Sequence, residues 1–261
     1  MAKPIELKIC YLYPDLMDTY GDMGNIITIQ KRCSWRGIKT EISKLSIGQN
    51  LKPNVYDLFF FGGGQDNVQT IVAKDLKSKT GILKEYIENG SVLLSICGGY
   101  QLLQKYFKTN AGEIIEGIKL FDAYTEASND RMIGNLLIET ENSLQAQIEN
   151  AYPKDNLPSP YLVGFENHSG KTYLGKNTKP LGTVITGSGN NGQDSTEGAI
   201  YKNAFGCYLH GSLLPKNPHF ADLLIYKALQ KKGLDFTLEP LDDSIEWLAH
   251  NKAVEKTRSS S

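Results

Sequence analysis

Short continuous apolar runs alternate along the chain with longer stretches in which apolar positions recur every three or four residues, the spacing that buries one face of a helix. Residues 7–12 (LKICYL) read as a strand, and residues 25–36 as a helix closed by Gly37. Residues 38–42 give a second strand, 56–61 (YDLFFF) a third and 91–96 (SVLLSI) a fourth. A helical pattern begins near Val68 and runs through Ile71, Val72 and Leu76. Residues 81–89 read as a helix ending at Gly90, a residue suited to the left-handed turn after a helix. Strands that are apolar at every position belong in a parallel sheet covered on both faces. The alternation therefore predicts an α/β fold: a doubly wound, mostly parallel sheet flanked by helices, with functional loops at the C-terminal ends of the strands.

After Gly117 the texture changes. Residues 119–125, 133–140, 161–166 and 182–186 read as extra β strands in the second half, separated by turn signals. Helical patterns return at 220–232 and at 244. Residues 5–232 are expected to form one domain, and 233–261 a C-terminal extension with one helix and a disordered tail (KTRSSS). Residues 152–160 read as a Pro-rich connection. The glycine-rich segment 187–198 (GSGNNGQDSTEG) reads as a plain exposed loop, with a lid as the other possibility.

Three strand ends carry candidate chemistry. In SICGGYQLLQKYF a strand stops at Cys97, two glycines follow, and a helix-like segment begins. This is the cysteine counterpart of a nucleophile elbow. Gly98 and Gly99 relieve the crowding of a sharp turn, and a helix N-terminus favours the reactive thiolate. In FFFGGGQD a triple glycine lets backbone N–H groups approach a ligand, and Gly63 or Gly64 becomes a candidate second oxyanion donor beside Gly98. Phosphate binding is the rival use of such a loop, but neither a P-loop nor a G-x-G-x-x-G motif occurs. In AFGCYLHG a short strand delivers His210 before Gly211. A cysteine nucleophile needs a base that later protonates the leaving group. Of the four histidines, His168 and His210 sit at strand-to-glycine junctions; His219 and His250 are expected at the surface. The loop 13–25 follows the first strand, so Asp18, Tyr20, Asp22 and Asn25 fall at the functional edge, either as substrate or partner contacts or as helix caps.

Bulk properties exclude other classes. Twenty-eight basic and 29 acidic residues give a net charge of −1 with no basic block, which argues against nucleic acid. Cys10, Cys33 and Cys207 lie in apolar runs without a C-x-x-C pair, as reduced core thiols of a cytosolic protein do. Cys207 and His210 are spaced like half a metal site, but no second pair accompanies them, so no metal is expected. The start MAKPIELKIC lacks the apolar core of a signal peptide, and no run reaches membrane-spanning length. The expected location is cytoplasmic.

FFFGGGQD, SICGGYQLL and YLHG, in this order, resemble the class I (triad-type) glutamine amidotransferases, in the cobyric-acid-synthase-like branch where glycine follows the histidine. YGDMGNI, LFDAYTE, NDRMIGN, VGFENHSGKTY and CYLHGSLLPKNP extend the resemblance to the glutaminase subunits of bacterial lipid II isoglutaminyl synthases, over roughly 7–229. The resemblance implies Cys97 as nucleophile, His210 as base and Arg131 as the contact for the glutamine α-carboxylate. It implies L-glutamine as substrate, a thioester intermediate, and ammonia passed to a MurT-like ligase subunit that amidates D-glutamate or D-isoglutamate in the lipid II stem peptide. Lipid II would be met through that partner, and ATP and metal would belong to it, with no cofactor in this chain. Two alternatives stay open: another cysteine hydrolase on the same fold, such as a γ-glutamyl peptidase, or a non-catalytic binding subunit.

One part is missing. Family members with Pro-Glu after the histidine place a carboxylate two residues beyond it, where this chain has Ser212. Three arrangements are open: a Cys–His dyad, a distant acid such as Glu166 or Asp194, or a carboxylate inserted by the partner. The last is favoured, because it would couple ammonia release to synthesis.

Overall fold

The computed structural model describes residues 5–152, 158–234 and 237–259. The first part of the chain forms β1 (Glu6–Leu12), α1 (Met23–Trp35), β2 (Lys39–Leu45), β3 (Leu58–Phe61), α2 (Asp66–Glu88), β4 (Val92–Ile96) and α3 (Gly98–Leu102). Then come β5 (Tyr106–Lys108), β6 (Ile114–Glu116), β7 (Ala123–Thr140), α4 (Asn142–Ala151), β8 (Tyr161–Leu174), β9 (Gly182–Thr186) and β10 (Thr196–Glu197). The chain closes with β11 (Ala199–Tyr201), β12 (Ala204–Cys207), α5 (Leu213–Lys216), α6 (Pro218–Lys231) and α7 (Ser244–Arg258).

The apolar runs meet in one sheet, ordered β11-β12-β4-β3-β1-β2. All neighbours pair in parallel except the edge strand β11. Both faces are buried, which is why these strands are apolar at successive positions. Leu7, Ile9 and Tyr11 pack on one face with Ile26, Ile29 and Cys33 of α1 and with Phe220 and Leu224 of α6. Cys10 and Leu12 point the other way, against Val72, Leu76 and Leu83 of α2. Each such side chain contributes about 1.5–3 kcal/mol when removed from water. The order reverses direction between β1 and β3, and in doubly wound sheets the crevice at such a switch point is where ligands bind.

The second sheet is ordered β10-β9-β7-β5-β6, with β8 paired to β7. It supplies the extra strands expected after Gly117. A break in the β7–β8 register between Ala127 and Met132 bulges Arg131 out of the ladder.

Several local expectations are corrected. The two helical stretches around 68–76 and 81–89 are one 23-residue helix, α2. It passes through Gly81 without a break, and a side chain there would meet nothing within 4 Å. The helix expected after Cys97 stops at Leu102. Lys105 N–H donates instead to Ala123 O, and Phe107 joins the second sheet. Residues 119–122 are not strand: Ile118, Lys119, Leu120 and Phe121 donate their N–H groups to carbonyls of residues 102–104, satisfying the end of α3. Helix α7 extends through Arg258, so half of the expected tail, residues 256–258, is helical; residues 260 and 261 lie outside the described residues, as does most of the 152–160 connection.

Segment 187–198 is neither a lid nor a plain exposed loop. Asn190 and Asn191 are buried, Asn191 Nδ2 donates to Thr172 O, and Glu166 accepts from the N–H groups of Ser188 and Gly189. His219 and His250 are fully buried rather than at the surface. His219 of α6 stacks on Trp247 of α7, and His250, itself on α7, bonds to Lys216 O and Ser159 Oγ, so the two hold α7 against the rest of the fold. Burial pushes the His219 imidazole down to about 3.

Candidate active site

Four segments converge at the C-terminal edge of the parallel sheet: the loops after β1 and β3, the turn after β4 and the end of β12. Cys97 sits on the β4 turn with φ 49° and ψ −108°, a backbone conformation costly for a residue with a Cβ. Two contacts hold it there. Cys97 N–H donates to Cys207 O on β12, and Gly99 N–H donates to Gly62 O in the glycine loop. A Cβ at residue 99 would lie 2.6 Å from Phe61 O, so the close approach of these strand ends requires glycine.

The glycine loop presents two N–H groups, and they differ. Gly63 N–H donates to Asp22 Oδ2 at 2.6 Å, so it is already spent. Gly64 N–H has no partner among the described residues, and its nitrogen lies 2.9 Å from where a Cβ on Gly98 would be. Gln69 Nε2 donates to Gly64 O and to Gln101 Oε1, which fixes the loop against α3. Of the two loop N–H groups, that of Gly64 is the one without a partner among the described residues, and it lies beside Gly98.

His210 ends the β12 segment and is fully buried, in reach of Cys97. The Tyr20 ring lies edge-on to it at 5.0 Å. Asp22 Oδ1 is 3.8 Å from its Nδ1. Burial pulls its pKa down, but the Cys97 sulfur and the Asp22 carboxylate outweigh this and push it up to about 10. Ser212, two residues after the histidine, donates its hydroxyl to Gly21 O and ties the end of this segment to the loop after β1.

Asp22 and Asn25 do not cap α1 with their side chains. Asp18 Oδ1 accepts from Met23 N–H instead, and Asn25 Oδ1 accepts from Leu214 N–H. The distant acids considered from sequence are committed elsewhere: Glu166 to the backbone of 188–189, Asp194 to Asn191 and Thr196. His168 shares the cleft but not the place beside Cys97. Its Nδ1 donates to Gly170 O and its ring stacks on Tyr208 at 3.6 Å, with Glu166 Oε2 3.7 Å from Nε2.

Cys97 opens onto a cleft of about 640 Å³ lined mainly by polar groups. Thr19, Tyr20, Gly64, Gln69, Gln101 and Arg131 line it, with Asn167 and His168 on the wall from β8. Arg131 lines the same cleft as Cys97, its Nε donating to Asn167 Oδ1 and its Nη2 to Tyr20 OH at 3.4 Å. Among the described residues no cluster of His, Cys, Asp and Glu is arranged to hold a metal ion. Sequence reasoning missed Gln69, which carries no local signal. It flagged Asp22 only as one of several polar loop residues.

Comparison with known proteins agrees with this layout. The profile of the CobB/CobQ-like glutamine amidotransferase domain matches residues 8–218. The lipid II isoglutaminyl synthase (glutamine-hydrolyzing) subunit GatD of Streptococcus pneumoniae is 40% identical over 92% of this chain and 87% of its own. The subunit of the same name from Staphylococcus aureus is 37% identical over 96% of each chain. A probable cobyric acid synthase of Methanocaldococcus jannaschii is 32% identical over 62% of this chain, which spans 31% of that larger protein. The chain is thus a member of the CobB/CobQ-like glutamine amidotransferase domain family, as its strand-end motifs foretold.

Proposed function

We propose that this chain hydrolyses L-glutamine through a Cys97 thioester and hands the ammonia to a MurT-like ligase subunit. That subunit would amidate D-glutamate or D-isoglutamate in the lipid II stem peptide. The observation that carries the reading is the meeting of a strained Cys97, a buried His210 and two unpartnered glycine N–H groups at one sheet edge, facing a polar cleft with an arginine across it.

In this mechanism the Cys97 thiolate attacks the side-chain amide carbon of glutamine. Charge develops on the amide oxygen, which the N–H groups of Gly64 and Gly98 receive. Imidazolium His210 gives its proton to the departing nitrogen, ammonia leaves, and the thioester remains. Neutral His210 then takes a proton from water, and the resulting hydroxide attacks the thioester carbon. Collapse expels the Cys97 thiolate and releases glutamate, whose new carboxyl ionises. The raised pKa of His210 suits the first half, because it keeps the proton on the imidazole until the leaving group needs it. Arg131 receives the α-carboxylate as a planar, charged fork. ATP and metal chemistry belong in this reading to the partner, and the location is cytoplasmic. Among the described residues no helix is long and apolar enough to cross a membrane.

A γ-glutamyl peptidase on the same fold is the rival reading, and its substrate would continue from the amide nitrogen, on the leaving-group side. Ammonia release from L-glutamine, compared with turnover of a γ-glutamyl dipeptide, tests this. Faster turnover of the dipeptide would favour a peptidase. No turnover of either substrate, alone or with the partner, would favour a binding subunit.

A further inference from the structure

A second cavity, of about 590 Å³, shares a wall with the Cys97 cleft. Tyr106 of β5 lines it, whereas the next residue, Phe107, lines the cleft. Successive strand residues face opposite ways, so β5 divides the two spaces. Ile114, Lys119, Leu120 and Tyr201 line the cavity as well. Tyr106 is the end ring of a stack that continues through Tyr124 at 5.2 Å and Tyr173 at 5.3 Å, and no second ring covers it among the described residues. Tyr201 is fixed by its hydroxyl, which donates to Glu88 Oε1 at 2.7 Å. The wall formed by residues 118–121 is held by backbone bonds to the carbonyls of residues 102–104. These bonds keep Lys119 at φ 60°, a left-handed conformation costly for a residue with a Cβ.

The charges around the cavity do not balance. Asp122 pairs with Lys105 through one oxygen and accepts from Asn177 N–H through the other. Glu116 pairs with Lys77. Lys119 has neither an ion pair nor a side-chain hydrogen bond among the described residues. Ile114 stands at the rim, 51% exposed. From these walls we infer a second ligand site, for a small molecule with a flat aromatic body and one anionic group. Tyr106 and Tyr201 supply apolar ring faces, which prefer an aromatic partner in offset or edge contact. Ile114 and Leu120 cover the rest of that body, and Lys119 meets the anion. A cationic ligand would find no free carboxylate, since Asp122 and Glu116 are both paired. The volume lies within the about 300–1,000 Å³ usual for small-molecule sites. The site stands whether or not glutamine is the substrate of the Cys97 cleft.

Two fluorescent probes test it on the full chain. Anilinonaphthalene sulfonate is an aromatic anion, and phenylnaphthylamine has the same rings without the charge. The expected result is one equivalent of either probe per chain, undisturbed by saturating L-glutamine. In Lys119→Asn, where asparagine tolerates the left-handed backbone, the sulfonate should bind about three- to fivefold more weakly and the neutral probe within about twofold of wild type. Ile114→Asp changes an exposed position, removes apolar contact and adds a like charge. It should weaken both probes, the sulfonate by about tenfold or more. If Lys119→Asn does not fold, the larger loss of the sulfonate than of the neutral probe in Ile114→Asp carries the test. Unchanged binding in both variants, an equal loss of both probes in Lys119→Asn, displacement by L-glutamine, more than one equivalent bound, or no binding at all would each overturn the inference.

Discussion

The amide nitrogen of Gly64 lies 2.9 Å from the point where a methyl group on Gly98 would sit. The glycine loop after β3 and the turn after β4 are thus in contact next to Cys97, and neither Gly64 N–H nor Gly98 N–H has a partner among the described residues. In the proposed mechanism these two N–H groups receive the oxyanion. Gly98→Ala should push the two segments apart and cost about 10²–10³-fold in kcat, the usual price of losing an oxyanion donor. Alkylation of Cys97 should remain within a few-fold of wild type, because the thiol and His210 stay in place. Steady-state kinetics beside iodoacetamide labelling would show it, and an unimpaired kcat would remove Gly64 and Gly98 from the mechanism.

Arg131 lines the cleft, bonded to Asn167 and Tyr20, and the proposed function gives it the α-carboxylate of glutamine. A charged hydrogen bond of this kind is worth about 1.5–3 kcal/mol, so Arg131→Ala should raise KM for glutamine about 10–100-fold. It should change kcat little, since the α-carboxylate is remote from the bond that breaks. A titration of initial rate against glutamine gives both numbers. A large loss of kcat at unchanged KM would mean that Arg131 acts on the transition state instead.

How much of this was legible in the sequence follows physical lines. Continuous apolar runs ending in glycine gave away the parallel strands and the positions of Cys97, the glycine loop and His210, because burial on both faces and sharp turns each demand particular residues. The bond from Gly63 N–H to Asp22 was not legible: the two residues are far apart along the chain, and only the sheet order brings the loop after β1 beside β3. Helix α3 was overextended because Leu103 and Phe107 keep a helical spacing while their backbone groups are claimed by the second sheet. His219 and His250 were misplaced because the cover provided by α7 is a contact between helices that local pattern does not encode.

That cover makes acid stability a readout of α7. The unfolded chain protonates His219 below its ordinary value of 6.5, while burial holds the folded imidazole neutral down to about 3. The unfolded state therefore binds more protons in this window, and stability present above pH 6.5 is lost as pH falls. His250, also pushed down by burial, acts in the same direction. His219→Phe should lose the bond to Tyr161 O, about 1 kcal/mol at neutral pH, yet show a smaller drop in Tm between about pH 7 and pH 4.5. Melting curves at the two pH values check it; an unchanged drop would place the acid sensitivity elsewhere.

The central claim, that Cys97 is the nucleophile of a glutamine-specific site, is tested most directly by intact-protein mass spectrometry with a diazoketone analogue of glutamine. Cys97 is the only one of the four thiols that is not buried, and burial pushes those of Cys10 and Cys33 up to about 12. The account predicts a single adduct, mapped to Cys97, suppressed by excess L-glutamine and absent in Cys97→Ala. An adduct on another residue, or labelling of Cys97 that glutamine does not slow, would contradict it.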